Sequence, residues 1–378
     1  MKTKFLLIVT IHLFCFAVGQ TTTDKDYNLL IGTYTNPEKT NGIHVYNFNT
    51  EDGDFSFKFK TVDVTNPSYL AISKDKKNLY AVSESGNGDG RINSFSFNPV
   101  SGELIFLNSV SSGGDGPAYV SVDDKKHYVF SGNYGGGSVS AIKIKEDGSL
   151  ETNNQTIKHE GSSVNEKRQN KPHVHAAVLS PENDFLLTPD LGTDKVNVYH
   201  YNPNGPQPLT PANPPYAMVE AGGGPRHLTF HPNGKFAYLV LEMEATVVVF
   251  DYKDGKLTTK QTLSMLASGF DGDVGAADIH VSPDGKFLYA SNRGDANELV
   301  IFAIDKMGKL DNVGRQSNLI HTPRNFAIDP SGNYLLVANM GTNDIVIFKR
   351  DKNSGLLTPT GKKILVDKPV CLKFVAVK

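Results

Sequence analysis

In the stretch GPRHLTFHPNGKFAYLVLE, residues 224–242, an arginine opens one apolar run, an Asn-Gly turn follows, and a glutamate closes a second run. Apolar runs flanking Asn-Gly predict a β-hairpin, and in a hairpin the start of the first strand lies beside the end of the second. Arg226 and Glu242 are therefore expected on one edge of a sheet. Five relatives of this text recur along the chain, so the chemistry can be compared position by position. At the opening position of the first strand stand Ser68, Ala118, His175, Arg226, Ala277 and Arg324. At the closing position of the second stand Glu84, Tyr134, Leu191, Glu242, Arg293 and Met340. Columns about two residues further in are read as apolar, as a packed core between sheets demands. Positions that hold Ala in one repeat hold Arg or His in another, and a purely structural repeat has no reason for that, because an unpaired buried charge costs several kcal/mol.

If the hairpins stand around one channel, His173, His175, Arg226, Glu242, Arg293 and Arg324 gather at its mouth. A guanidinium is a planar fork that binds carboxylate or phosphate through two bonds, so this cluster predicts an anionic substrate. Glu242 beside an arginine could serve as a base, and a histidine titrating near neutrality suits acid-base work. The alternative for Arg226 and Glu242 is a structural ion pair between blades. Arg324 has Met340 at its own hairpin's closing position and Arg293 is read opposite Ala277, so both are expected to lack a protein partner and to be reserved for the ligand anion. His173 and His175 alternate on one strand and could share a metal with Asp190 and His280. No metal is expected, because no Cys or carboxylate pattern completes a site and three arginines would oppose a cation. Gly135–Gly137 and Gly222–Gly224 precede no helix and are not phosphate cradles, and residues 270–273 lack the remaining ligands of a calcium loop.

The positioning elements follow from the repeats. Six hairpins begin at Asn66, Gly116, Lys171, Gly224, Ala276 and Thr322, each followed by a β-branched strand (RINSFSF, GSVSAIKI, DKVNVYHY, ATVVVFDY, ELVIFAI, NDIVIFKR) and a less regular fourth. The period is about 50 residues, which four-stranded propeller blades require. A seventh unit is split: the strand from Val370 has the first-strand pattern, and residues 28–35 and 42–48 supply the strands that follow it. Pairing of the C-terminal strand with the N-terminal strand near Leu30 would close the ring and leave no open sheet edge. The predicted fold is all-β, a seven-bladed propeller of four-stranded blades over residues 20–378; an open sandwich or two smaller barrels would not explain the regular period. The chain contains no Trp, which excludes Trp-Asp and Trp-bearing Asp-box blades but not the architecture. Two longer connections, Glu151–Lys171 and the Pro-rich Asn202–Gly223, are predicted on the face that carries the charged edge, where binding loops belong.

Residues 1–19 carry Lys2 and Lys4, an apolar run from Phe5 to Val18, and Ala17 and Gly19 at the small positions of a cleavage site, the pattern of a secretory signal peptide. The apolar run is too short for a spanning helix of about 20 residues, and Cys15 between two phenylalanines does not fit a lipid-attachment site. An exported, periplasmic or secreted protein is expected, free of the membrane after cleavage. The whole chain has 38 basic and 40 acidic residues, a net charge of −2, and loss of Lys2 and Lys4 makes it −4. That balance speaks against nucleic acid. Cleavage also removes Cys15 and leaves Cys371 as the sole thiol, so stability must come from packing without a disulfide. A monomer is expected.

At these residues the chain resembles the propeller-type lactonase family, which includes bacterial 6-phosphogluconolactonase and fungal carboxy-cis,cis-muconate cyclase. The text that carries the resemblance is IGTYT at Ile31, NPSYLAIS at Asn66, the run Asn165, Arg168, Gln169, Pro172, His173, His175, then PDLGTDKV at Pro189, GGGPRHLTFHPNGKFAYLVLE at Gly222, IHVSPDGKFLYASNRG at Ile279 and PRNFAIDPSGNYLLVAN at Pro323. The resemblance implies hydrolysis of a sugar lactone without metal or other cofactor, on a small anionic lactone. It implies catalytic roles for His175, Arg226, Glu242 and Arg293, with His173, Arg324, Arg168 and Asn133 as substrate-binding residues. A cycloisomerase of the muconate cyclase type, or a non-catalytic exported propeller binding an anionic glycan or a protein, are the alternatives. The pentose phosphate enzyme works in the cytoplasm, so an exported chain points away from a phosphorylated substrate.

Overall fold

The computed structural model describes residues 25–35, 42–61, 63–88, 90–152 and 155–377, and all regular elements among them are β-strands. They form seven four-stranded antiparallel sheets. In chain order, the inner strands of blades one to seven are Leu70–Ile72, Pro117–Val122, Val178–Leu179, Pro225–Phe230, Val274–Val281, Pro323–Ile328 and Pro369–Ala376. The proposed signal peptide and Cys15 lie outside the described residues.

Inner and second strands are packed on both faces, and they read as runs of Val, Leu, Tyr and Ala. In blade four, all six residues of Phe236–Leu241 are buried. The outer strands alternate instead: Lys256–Ser264 buries Leu257 and exposes its neighbours. Core clusters span each junction, joining blades two and three, three and four, four and five, five and six, and six and seven, with the largest running through seven, one and two. Each fully buried aromatic or aliphatic side chain contributes roughly 1.5–3 kcal/mol, so the ring needs no cross-link. A tyrosine of the second strand also donates to a glycine carbonyl in the next blade's outer turn, at 3.2 Å for Tyr80 and Gly148, 3.1 Å for Tyr238 and Gly308, and 2.7 Å for Tyr289 and Gly355.

The ring closes as the split unit predicts. Pro369–Ala376 pairs antiparallel with Asp26–Thr33, with Leu30 opposite Lys373 and Ile31 opposite Leu372. Two expectations are corrected. The first strand of the third hairpin is regular only at Val178–Leu179, because Pro189 on the facing strand has no N–H to donate; the His175 amide still reaches the Pro189 carbonyl at 3.0 Å, and the His173 amide turns to the Asp190 carboxylate at 2.8 Å. The Pro-rich connection after Asn202 is not one long loop, since Leu209–Met218 within it is the outer strand of blade three.

The inner hairpins share a β-bulge near the channel mouth, with register shifts between Pro117 and Tyr119, Pro225 and Leu228, Ala276 and Ile279, and Pro323 and Asn325. A bulge re-aims side chains that a regular strand would send to opposite faces. Arg226 and His227, Ala277 and Asp278, and Arg324 sit in these bulges.

Candidate active site

The residue after each second strand holds the same place in most blades. Its amide donates to the carbonyl of a residue with left-handed backbone: Glu84 to Asn66, Tyr134 to Gly116, Glu242 to Gly224, Met340 to Thr322 and Tyr34 to Lys368. Glycine at 116 and 224 takes that conformation without strain. Tyr34 is thus the seventh blade's closing residue. Extending the repeat comparison across the split unit would have found it.

A cavity of about 220 Å³ opens at this end of the channel, lined by Tyr34, Glu84, Ala118, Tyr134, Arg168, His175, Glu242, Arg293 and Arg324. Each of the seven blades supplies a lining residue, and Arg168 comes from the long connection between blades two and three. That connection is on the predicted face. Arg226 lies in the wall behind Glu242 and is 1% exposed.

Glu242 is the hub. Its Oε2 accepts from Arg226 Nε at 3.0 Å and lies 3.3 Å from Arg293 Nη2, while its Oε1 accepts from Arg168 Nη2 at 2.8 Å. Burial works to raise the Glu242 carboxyl, but Arg293, Arg226 and Arg168 outweigh it and hold the group at about 2. Burial, then repulsion from Arg293 and Arg324, lowers Arg226 to about 9. Arg226 also donates through Nη1 to the Ala277 carbonyl. Arg168 Nη2 lies 3.2 Å from the Tyr134 hydroxyl as well.

The expectation that Arg293 has no protein partner is overturned. In blade five Gly275, not Ala277, faces Arg293; Arg293 Nε donates to the Gly275 carbonyl at 2.8 Å, and its Nη2 reaches Glu242. Arg324 differs. Among the described residues it donates no hydrogen bond to protein; its guanidinium lies 5.2 Å over the Tyr34 ring and 3.9 Å from Glu84 Oε1. Glu84 also accepts from the Tyr34 hydroxyl at 2.9 Å and from the Ser68 hydroxyl. Burial, opposed by Arg324, pushes the Tyr34 hydroxyl up to about 12, so it stays protonated.

His175 lines the cavity and is 4% exposed. Burial, followed by Arg226, His227 and Arg324, pushes it well below the ordinary histidine range, so the ring is neutral. His173 does not line the cavity. Its ring stacks on Tyr134 at 4.5 Å, its Nδ1 bonds the Tyr134 carbonyl at 2.9 Å, and His175 meets the same tyrosine edge-on at 5.3 Å. His173 therefore props Tyr134 against the site. Asn133 is turned away into blade two: its Nδ2 lies 3.0 Å from Ser138 Oγ, 3.2 Å from Ser140 Oγ and 3.2 Å from the Ser112 carbonyl, and the residue has no exposed surface. Asn133 and Tyr134 are adjacent in sequence, but strand alternation sends the two side chains to different surroundings.

Among the described residues no group of three or more His, Cys, Asp or Glu side chains could hold a metal. Asp190 instead accepts from His159 Nδ1 at 2.7 Å, and His280 bonds Asp278 at 2.8 Å. With four arginines against Glu84 and Glu242, and with His175 and Tyr34 neutral, the site carries two net positive charges. It can hold an anion and stabilise an oxyanion that forms beside it.

Residues 28–374 match the family described as lactonase, 7-bladed beta-propeller. A 6-phosphogluconolactonase of Formosa agariphila is 35% identical over 342 residues, covering 90% of this chain and 97% of that one. The solved structure of the periplasmic gluconolactonase of Pseudomonas aeruginosa superposes with a TM-score of 0.88 at 41% identity, over 93% of this chain and 100% of that one. A Bacteroides fragilis structure superposes at 0.89 with 42% identity, over 94% and 99%. With the fold, the closure and the match all spanning the propeller, this chain belongs to the seven-bladed β-propeller lactonases.

Proposed function

We propose that the protein is a lactonase that opens the ester of an anionic sugar lactone, with His175 as the group that takes a proton from water. The observation that carries this reading is the doubly positive cavity to which all seven blades contribute. Arg324, whose guanidinium has no hydrogen bond to give up among the described residues, takes the substrate's anionic group, Arg293 faces the developing oxyanion, and Arg226 adds its charge from behind Glu242. The Glu242 carboxylate is engaged on both oxygens by arginine, and its low pKa makes it a weak base; it holds three guanidiniums in place. His175 is neutral and buried. In the empty site the arginines oppose its protonation, but a bound anion and the oxyanion offset those charges, so its basicity rises as the reaction proceeds. Water attacks the lactone carbonyl carbon as His175 accepts its proton. The tetrahedral oxyanion then collapses with cleavage of the ring C–O bond, and the proton passes from His175 to the leaving alkoxide.

The related 6-phosphogluconolactonase and periplasmic gluconolactonase point to aldonolactones as the panel to assay, with and without a phosphate. We expect acid release above the spontaneous rate on at least one of them. No acceleration on any lactone would leave a binding module as the better reading. Export with cleavage is part of the proposal, supported by the pattern of residues 1–19 and by the periplasmic relative; cell fractionation with N-terminal sequencing checks it, and protein confined to the cytoplasm with Met1 intact would refute it.

A further inference from the structure

Below the cavity the channel is filled by a second group of side chains that the family reading does not use. His227, from the bulge of blade four, donates through Nδ1 to Asp278 Oδ1 at 2.8 Å. Asp278, from the bulge of blade five, is 1% exposed, and its other oxygen accepts from His280 Nε2 at 2.8 Å, from Asn325 Nδ2 and from the Phe326 amide at 3.3 Å. So many donors from three inner strands hold the carboxylate ionised and leave His227 one tautomer: hydrogen on Nδ1, lone pair on Nε2. The His227 ring is also braced edge-on by the stacked pair Tyr69 and Tyr119, at 5.7 and 5.5 Å.

Among the described residues that lone pair is buried without a partner, and so is Nδ1 of His175, whose ring meets the His227 ring edge-on at 5.3 Å. Two neighbouring buried imidazole nitrogens without protein partners are a costly arrangement unless one small polar group serves both. We propose that a single water seated beside the two ring edges joins them, so that Asp278 and His227 set the tautomer of His175. The water donates to His227 Nε2, which can only accept, and in turn accepts the hydrogen on His175 Nδ1. His175 Nε2 then carries the lone pair and faces the lactone. Asp278 and His227 are positioning residues: they touch neither substrate nor attacking water, and they ensure that the base presents an acceptor rather than an N–H. This deepens the lactonase reading and rests on its assignment of His175. In the other tautomer His175 would turn an N–H toward the incoming water and could not take its proton.

The test reads the tautomer directly. In protein labelled with ¹⁵N-histidine, the His175 signals are identified by their loss in His175→Gln; the proposal requires Nδ1 protonated and Nε2 bare in the wild type. His227→Phe, which keeps the ring and removes the acceptor, should lower kcat about tenfold or more with KM within twofold, and should lower the Nδ1-protonated fraction of His175. His227→Gln, whose amide oxygen can accept from the same water, should recover most of kcat. A wild-type His175 protonated on Nε2, or a His227→Phe enzyme with kcat within twofold of wild type, would overturn the proposal. The wild-type spectrum decides even if the Phe variant does not fold. It also decides if no lactone is turned over, so failure of the tautomer assignment and failure of the lactonase reading are seen separately.

Discussion

Removing Arg324 should weaken anion binding and leave the fold nearly untouched. The guanidinium lies 3.9 Å from Glu84, an attraction of about 4 kcal/mol at an effective dielectric of about 20, and the contact with the Tyr34 ring adds about 0.5–2 kcal/mol. Against these stand the cost of burying the charge and its repulsion with Arg226 and Arg293, each of which is lowered by Arg324; against burial, Tyr34, Glu84 and Glu242 still hold Arg324 above its ordinary value, so a small net stabilisation is lost. Glu84 keeps the Tyr34 and Ser68 hydroxyls after the arginine is gone. Arg324→Ala should therefore change unfolding free energy by no more than about 1 kcal/mol, while loss of a charge-assisted bond to the ligand costs about 1.5–3 kcal/mol, or about 10- to 100-fold in Kd. Arg226→Ala is the control: it strips Glu242 of a buried partner and the Ala277 carbonyl of a donor, and should cost about 3–5 kcal/mol of stability. Arg293→Ala, which loses one carbonyl bond and one contact with Glu242, should fall between them. Chemical denaturation and calorimetric titration with the ring-opened acid measure both quantities. If all three variants lose the same stability and Arg324→Ala binds as wild type, the arginines are scaffolding between blades and the reasoning fails.

Glu242→Gln should destabilise as well as inactivate, because three guanidiniums lose their shared counter-charge. The ordinary carboxyl value of 4.5 falls to about 2 in the folded protein, so this group's contribution, about 3 kcal/mol, is fully present above pH 4.5 and is lost as the pH falls toward 2. Denaturation of wild type and variant across that window should converge at the acid end; parallel curves would refute the hub. Deleting residues 369–378 removes the inner strand that pairs with Asp26–Thr33 and buries Val370, Cys371, Leu372 and Val375. The truncated chain should fail to fold cooperatively, and an unchanged melting transition would contradict closure by that strand.

Much of this molecule is written in local chain text. A hairpin signal repeated at regular spacing specifies blade, order and number, because each strand's neighbours are its own sequence neighbours; only the seventh blade needed a long-range pairing, and its missing strand announced it. Comparing equivalent positions picked out His175, Arg226, Glu242, Arg293 and Arg324, since a charge where other repeats hold Ala, Leu or Met has no packing role. What each of those groups touches was decided only in three dimensions. Glu84 meets Arg324 because ring closure brings blades one and six to either side of blade seven, not because either hairpin encodes the contact. The register of blade five sets Arg293 opposite Gly275 and not Ala277, and three arginines converge on Glu242 and hold its carboxyl at about 2. Asn133 and Tyr134 are neighbours in the chain, yet one is locked inside a blade and the other lines the cavity. His227 and Asp278 lie one residue inside the compared column, and only the closed channel reveals that the two residues, one blade apart, share a buried hydrogen bond beneath the site. Strand pattern is set by nearest neighbours along the chain, but hydrogen-bond and charge partners across a channel depend on ring curvature and bulge geometry, which no single repeat contains.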